Sequence, residues 1–145
     1  MRYVLFSLCL WAIVSVGCHK SNAAAPATDT ATTVTLIAHW SLVEDSTIFQ
    51  GGGTLLQVYH GVAGDYWDFR SDGVIYVREG VKLDTLGYSL LSDSTIIINS
   101  FGQFYDGVTY PSNIDTLTVH SAVIQSGTGL SNPGGTSTRV LSLKR

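Results

Sequence analysis

The stretch Asp65-Tyr66-Trp67-Asp68-Phe69-Arg70-Ser71-Asp72-Gly73-Val74-Ile75-Tyr76-Val77 decides the fold. Two short runs of aromatic and β-branched residues flank Ser71-Asp72-Gly73, which is the pattern of a β-hairpin. The alternation also selects the loop length. A three-residue loop sets Arg70 against Val74, Phe69 against Ile75 and Trp67 against Val77. The four apolar side chains then share one face, leaving Asp68, Arg70, Tyr76 and Arg78 on the other. A two-residue Asp-Gly turn shifts the pairing by one position and splits the apolar set between both faces. The longer loop also puts Gly73 where the backbone must turn left-handed. The stretch is therefore an antiparallel hairpin with one buried and one wet face.

Downstream the same arithmetic recurs. Lys82 to Leu91 reads as a strand, and Ser92-Asp93-Ser94 as a second three-residue loop that gathers Tyr88, Leu90, Ile96 and Ile98 on one face. Upstream, Trp40 and Leu42 share a face opposite Ser41, and Leu55 to His60 forms a further strand of undecided facing. Ile114 to Ile124 reads as one strand with Leu117, Val119 and Val123 on one side. In the last strand Leu141 and Leu143 share a face, with Arg139 at the same parity. Helical periodicity is missing from the hairpin region. The expected fold is all-β, an antiparallel up-and-down meander of about eight strands. A small barrel answers best because it leaves no unpaired edges, and a β-sandwich is the alternative.

The first 33 residues stand apart. After Arg2, Tyr3 to Val16 is nearly all apolar, but a membrane-spanning helix needs about 20 such residues, so residues 1–17 read as a cleaved export signal. Val16-Gly17-Cys18 resembles the lipobox of bacterial lipoproteins, although Ser15 stands where that family usually has an aliphatic residue. The resemblance implies cleavage before Cys18 and acylation of its thiol by fatty acid such as palmitate. Cys9 lies inside the signal, so Cys18 is left without a disulfide partner, which agrees with a lipid attachment. Two or three acyl chains, at about 0.8 kcal/mol per buried methylene, anchor a protein stably. Ordinary signal cleavage within Ala23-Ala24-Ala25, giving a secreted or soluble periplasmic protein, is the alternative. Residues 18–33 are rich in Ala, Thr, Ser and Asn and read as a flexible tether, with residues 34–145 as the folded domain. His19-Lys20-Ser21-Asn22 lacks the acidic run that sends some lipoproteins to the cell surface, so outer-membrane attachment facing the periplasm is expected.

Without residues 1–17 the chain carries seven basic and eleven acidic side chains, a charge of −4. No basic patch is present, which argues against nucleic acid as a partner. His39, His60 and His120 have no ligand-like spacing and no cysteine pair is left for zinc. Nucleophile elbows and phosphate-binding glycine loops are also missing. The expectation is a protein that is not an enzyme, with no cofactor and no metal.

Ala38-His39-Trp40-Ser41-Leu42-Val43 resembles the opening of lipocalins and of the short lipocalin-like domains of envelope lipoproteins. Phe69-Arg70-Ser71-Asp72-Gly73, Gly87-Tyr88-Ser89-Leu90 and Ile96-Ile97-Ile98 carry the resemblance further. It implies carriage of a small apolar ligand, and a late basic residue, Arg139, stacked on Trp40 to close the barrel. The alternative for Arg139 is a solvated flank of the last strand. Phe101, Phe104, Tyr105 and Tyr110, in a Gly-rich segment, are a candidate ligand rim or else a loop covering the core. Against a deep cavity, Trp40, Trp67, Phe69 and Tyr88 are large enough to fill a small barrel. A structural or protein-interaction domain with a filled core is the competing function.

Overall fold

The computed structural model describes residues 34–51, 54–101, 109–131 and 135–145. Among them ten strands follow one another: β1 (His39–Gln50), β2 (Thr54–His60), β3 (Tyr66–Phe69), β4 (Val74–Glu79), β5 (Lys82–Ser92), β6 (Thr95–Ile98), β7 (Ser112–Leu117), β8 (Ser121–Gln125), β9 (Gly129–Ser131) and β10 (Gly135–Lys144). All pairings are antiparallel, and β1 pairs with β10, so that β1, β3 to β8 and β10 close an eight-stranded barrel. That closure settles the choice against the sandwich.

The organising hairpin forms as its alternation requires. Trp67 pairs with Val77 and Phe69 with Ile75, and Arg70 N–H donates to the Val74 carbonyl at 2.9 Å. All four apolar side chains are buried, while Tyr76 on the opposite face is exposed. Gly73 has φ +83°, the left-handed conformation that a side chain would strain. In the second hairpin Tyr88 pairs with Ile98 and Leu90 with Ile96, as expected. Its loop is tighter than read, because Ser92 pairs with Thr95 and Leu91 is bulged out of register.

Three elements differ from the sequence reading. The segment Ile114 to Ile124 is two strands, β7 and β8, joined through Thr118-Val119-His120. Thr118 Oγ1 accepts from the N–H groups of His120 and Ser121 at 3.2 and 2.9 Å, making a turn from hydroxyl chemistry with no glycine or proline to announce it. Ile114, Ala122 and Ile124 face the core, and Val119 is exposed at the turn. Second, the Leu55–His60 segment lies in β2, which is not a barrel stave. β1 is long enough to pair with β3 over His39–Ser41 and with β2 over Glu44–Gln50, along the same edge. At the junction a Cβ on Gly61 would lie 2.1 Å from the Leu42 carbonyl oxygen, so only glycine passes there. Third, β9 adds a short strand beside the start of β10. The four strands β2, β1, β10 and β9 thus continue beyond one end of the barrel.

The other end is closed by the chain that enters it. Leu36 is buried and its carbonyl accepts the Trp40 indole N–H at 2.8 Å. The Arg145 guanidinium lies over the Trp40 ring, 4.2 Å from its centroid, and donates to the Thr35 carbonyl at 3.2 Å. Between the ends the interior is packed with large side chains. The Trp67 and Phe101 rings meet edge to face at 5.9 Å, and Phe69 and Tyr88 do so at 5.4 Å, a geometry that stabilises aromatic pairs beyond the area they bury.

Candidate functional site

Chemistry concentrates where the filled core meets the β2–β1–β10–β9 extension. A bulge at Val43 shifts the parity of β1, so that Trp40 and Leu42 face inward below it and Asp45 faces inward above it, opposite Leu141 of β10 and Tyr59 of β2. From β10, Arg139 points in as its parity predicts. Its backbone is held at both groups by Ser126, whose N–H donates to the Arg139 carbonyl and whose hydroxyl accepts the Arg139 N–H, each at 2.8 Å.

The Arg139 guanidinium grips the Asp45 carboxylate with two nitrogens, Nε to Oδ1 at 2.8 Å and Nη2 to Oδ2. Nη1 donates to the Phe101 carbonyl at 3.3 Å, and Nη2 lies 3.7 Å from Glu79 Oε1. Its plane sits 4.9 Å from the Phe101 ring centroid and 5.6 Å from that of Trp67, within the range of cation–π attraction. The Trp67 indole N–H donates to Glu79 Oε1 at 3.2 Å. One cation and two carboxyls therefore occupy the top of an aromatic core.

Their acidities follow from that placement. Burial works against the Arg139 charge, but hydrogen bonding to Asp45 and the nearby charges of Asp45, Glu79 and Asp84 outweigh it, and the guanidinium is held above its ordinary range. Glu79 is pushed up, first by burial and then by the negative charge of Asp45, against the opposing pull of Arg139 and the Trp67 N–H. Below this cluster Asp65 ties β2, β3 and the β4–β5 turn together. It accepts from Val62 N–H at 2.9 Å, the Tyr59 hydroxyl at 2.7 Å and Gly80 N–H at 2.7 Å. The Val62 and Tyr59 bonds, offset in part by burial, hold its carboxyl below the usual range.

A cleft of about 260 Å³ opens beside the cluster, lined by Asp45, Thr47, Gln57, Val58, Tyr59, Lys82 and Arg139. It is small against ligand pockets of roughly 300–1,000 Å³, and its lining mixes charged groups of Asp45, Lys82 and Arg139 with the apolar surface of Val58 and Tyr59. Among the described residues no three His, Cys, Asp or Glu side chains come together to hold a metal ion.

The sequence-derived candidates are distributed as follows. Arg139 does not stack on Trp40. Arg145 occupies that place, because β10 carries Arg139 to the opposite end of the barrel and Arg145 to the end where Trp40 lies. Phe101 is 2 % exposed, a core residue under the guanidinium and not part of a rim. Tyr110 is half-buried beside Gly127, away from Phe101's role in the cluster. Phe104, Tyr105 and Cys18 lie outside the described residues. Sequence reasoning missed Asp45, Glu79, Asp65 and Arg145. The inward parity of Arg139 was a usable signal that a buried acid should answer it, but the bulge at Val43 hid which one. Comparison of the chain with protein-family models, with curated proteins and with solved structures finds no match.

Proposed function

We propose that this chain is a lipid-anchored protein of the bacterial envelope, attached through acyl chains on Cys18 and facing the periplasm from the outer membrane. Its barrel serves as a non-enzymatic structural or protein-interaction domain with a filled core. The observation that supports this reading over carriage of an apolar ligand is the occupied interior. Trp40, Trp67, Phe69 and Phe101 are each at most 2 % exposed, and a charged cluster stands above them. An apolar guest would have to displace aromatic side chains or desolvate Asp45 and Arg139, which costs far more than burial of a small molecule returns. The barrel fold is itself compatible with ligand binding. A second reading rests on the cleft of about 260 Å³, whose charged groups and apolar Val58 and Tyr59 surface suit a small amphipathic ligand held at the mouth.

The test is native mass spectrometry of the chain carrying Cys18→Ser, recovered gently from the periplasm. A bare chain, alone or with a bound protein, supports the filled domain, and a reproducible small-molecule adduct overturns it in favour of the carrier. Fatty-acid labelling tests the anchor: the wild-type chain takes up label and sediments with membranes, and Cys18→Ser does neither. Label retained by Cys18→Ser would sink the lipoprotein reading.

A further inference from the structure

Barrel closure gives each stave a neighbour on both sides, but the β2–β1–β10–β9 extension ends in two outer strands, β9 of three residues and β2 of seven. Among the described residues no strand pairs along the outer edge of β2. A short edge is protected by its brevity, whereas a longer one offers a row of N–H and C=O groups to another strand. Sequences guard such edges with lysine, proline or a bulge. Thr54 to Tyr59 contains no charged residue and no proline, and β2 pairs with β1 over seven consecutive positions without a register shift. The exposed side chains along it include Leu56 and Val58, 56 % and 41 % exposed, with Ile48 of β1 beside Leu56. The β4–β5 turn comes nearest at the Tyr59 end, where Gly80 approaches the tyrosine hydroxyl.

The backbone shows which groups point outward. Gly61 N–H, just past β2, donates to the Val43 carbonyl at 3.0 Å, and at the far end of β1 the Gln50 carbonyl lies against Gly135 of β10. Odd-numbered positions therefore carry the β1–β2 ladder, and Thr54, Leu56, Val58 and His60 turn their N–H and C=O groups away from β1.

The strand is complementary to itself. Laid antiparallel on a second copy with Gln57 on the twofold axis, Leu56 meets Val58 and Thr54 meets His60, twice over by symmetry. Even positions meet even positions, so outward groups face outward groups along the whole strand. Leu56 and Val58 form apolar cross-strand pairs on one face, and no like charges stand opposite each other. His60, the one ionisable side chain at the end of the strand, already has Glu44 of its own β1 at 3.4 Å.

We propose that β2 is a self-association edge, through which two copies of this chain join antiparallel about Gln57 and merge their extensions into one continuous sheet. A ladder of seven residues is smaller than the interface of a permanent dimer, so the association is reversible and concentration-dependent. The proposal names a second copy as the partner of the protein-interaction domain inferred above and rests on that reading.

Sedimentation of the chain carrying Cys18→Ser, from about 1 µM to about 1 mM, tests it, together with amide hydrogen exchange at both ends of that range. A monomer–dimer equilibrium is expected, with the Leu56 and Val58 amides becoming protected as the dimer fills. Leu56→Lys and Leu56→Glu each place two like charges diagonally across the axis and are expected to weaken the dimer more than about tenfold; an equimolar mixture of the two restores it. Leu130→Lys, on the β9 edge, leaves it unchanged. A chain that stays monomeric throughout refutes the self-association edge and leaves the filled domain standing, whereas a small-molecule adduct in native mass spectrometry refutes that domain reading itself. Leu56 and Val58 amides already protected in the monomer show an edge covered from within the chain and overturn the proposal. So does a dimer that Leu56→Lys leaves intact, or one that the charge-swapped mixture fails to restore. Should the Leu56 variants not fold, the wild-type exchange pattern decides: protection confined to other residues in the dimer refutes the pairing.

Discussion

Replacing Trp67 by alanine probes the packing on which the whole domain rests. Trp67 is 1 % exposed, meets Phe101 edge to face, lies 6.3 Å from the Phe69 ring and donates its indole N–H to Glu79. A buried aromatic side chain hides about 150–250 Å², which at about 25 cal/mol per Å² corresponds to roughly 4–6 kcal/mol as an upper bound. Measured truncations of buried Phe and Trp cost about 3–5 kcal/mol, cavity included, and that is the expected loss. The lost ring under Arg139 and the lost donor to Glu79 act in the same direction. With a urea dependence of about 1–3 kcal/mol per molar, the denaturation midpoint falls by about 1 M or more. Far-ultraviolet circular dichroism is the appropriate signal, since the substitution removes one of the fluorophores. Tyr76→Ala, on the exposed face of the paired strand, is the control and is expected to cost under about 1 kcal/mol. A Trp67→Ala midpoint equal to wild type, or no lower than that of Tyr76→Ala, would refute the packing argument.

Two further outcomes follow from the charges. Arg139→Met leaves the Asp45 carboxylate buried without its partner and is expected to cost about 3–5 kcal/mol, whereas the double variant Arg139→Met/Asp45→Leu recovers most of that loss; a double-mutant cycle in chemical denaturation measures the difference, and a double variant as unstable as the single one would contradict it. The pH dependence of stability has two arms. The folded-state acidity of Asp65 lies below its ordinary value of 3.8, so its contribution is present above that value and is lost as pH falls through the lower folded one. Glu79 has the opposite sign: its folded value is raised above 4.5, so stability declines as pH rises from there through the folded value. Melting temperatures across pH for Asp65→Asn and Glu79→Gln should each flatten only the corresponding arm, and a wild-type slope retained in either variant would remove that assignment.

Much of this was legible in the residues. Alternation with a period of two, interrupted by Ser71-Asp72-Gly73, is a local signal, and it determined the β3–β4 register, the inward set Trp67, Phe69, Ile75 and Val77, and the left-handed Gly73. The same local logic determined the pairing of Tyr88 with Ile98 and the inward parity of Arg139, and through repeated hairpins it led to a meander that closes. The Thr118 turn escaped because hydroxyl groups build it within an unbroken β-branched run. The choice of partners lay beyond local patterning. β1 pairs with β10 along one edge and with both β2 and β3 along the other, and the bulge at Val43 within it turns Asp45 toward Arg139. Glu79 reaches them through the closure of the barrel, 60 residues from Arg139 along the chain. Which arginine covers Trp40 depends on the end of the barrel to which each is carried, and β10 delivers Arg145 to that end. Side-chain facing repeats every two residues and is written locally, whereas the charge cluster depends on strands distant in sequence meeting in one closed sheet, which only the tertiary structure decides.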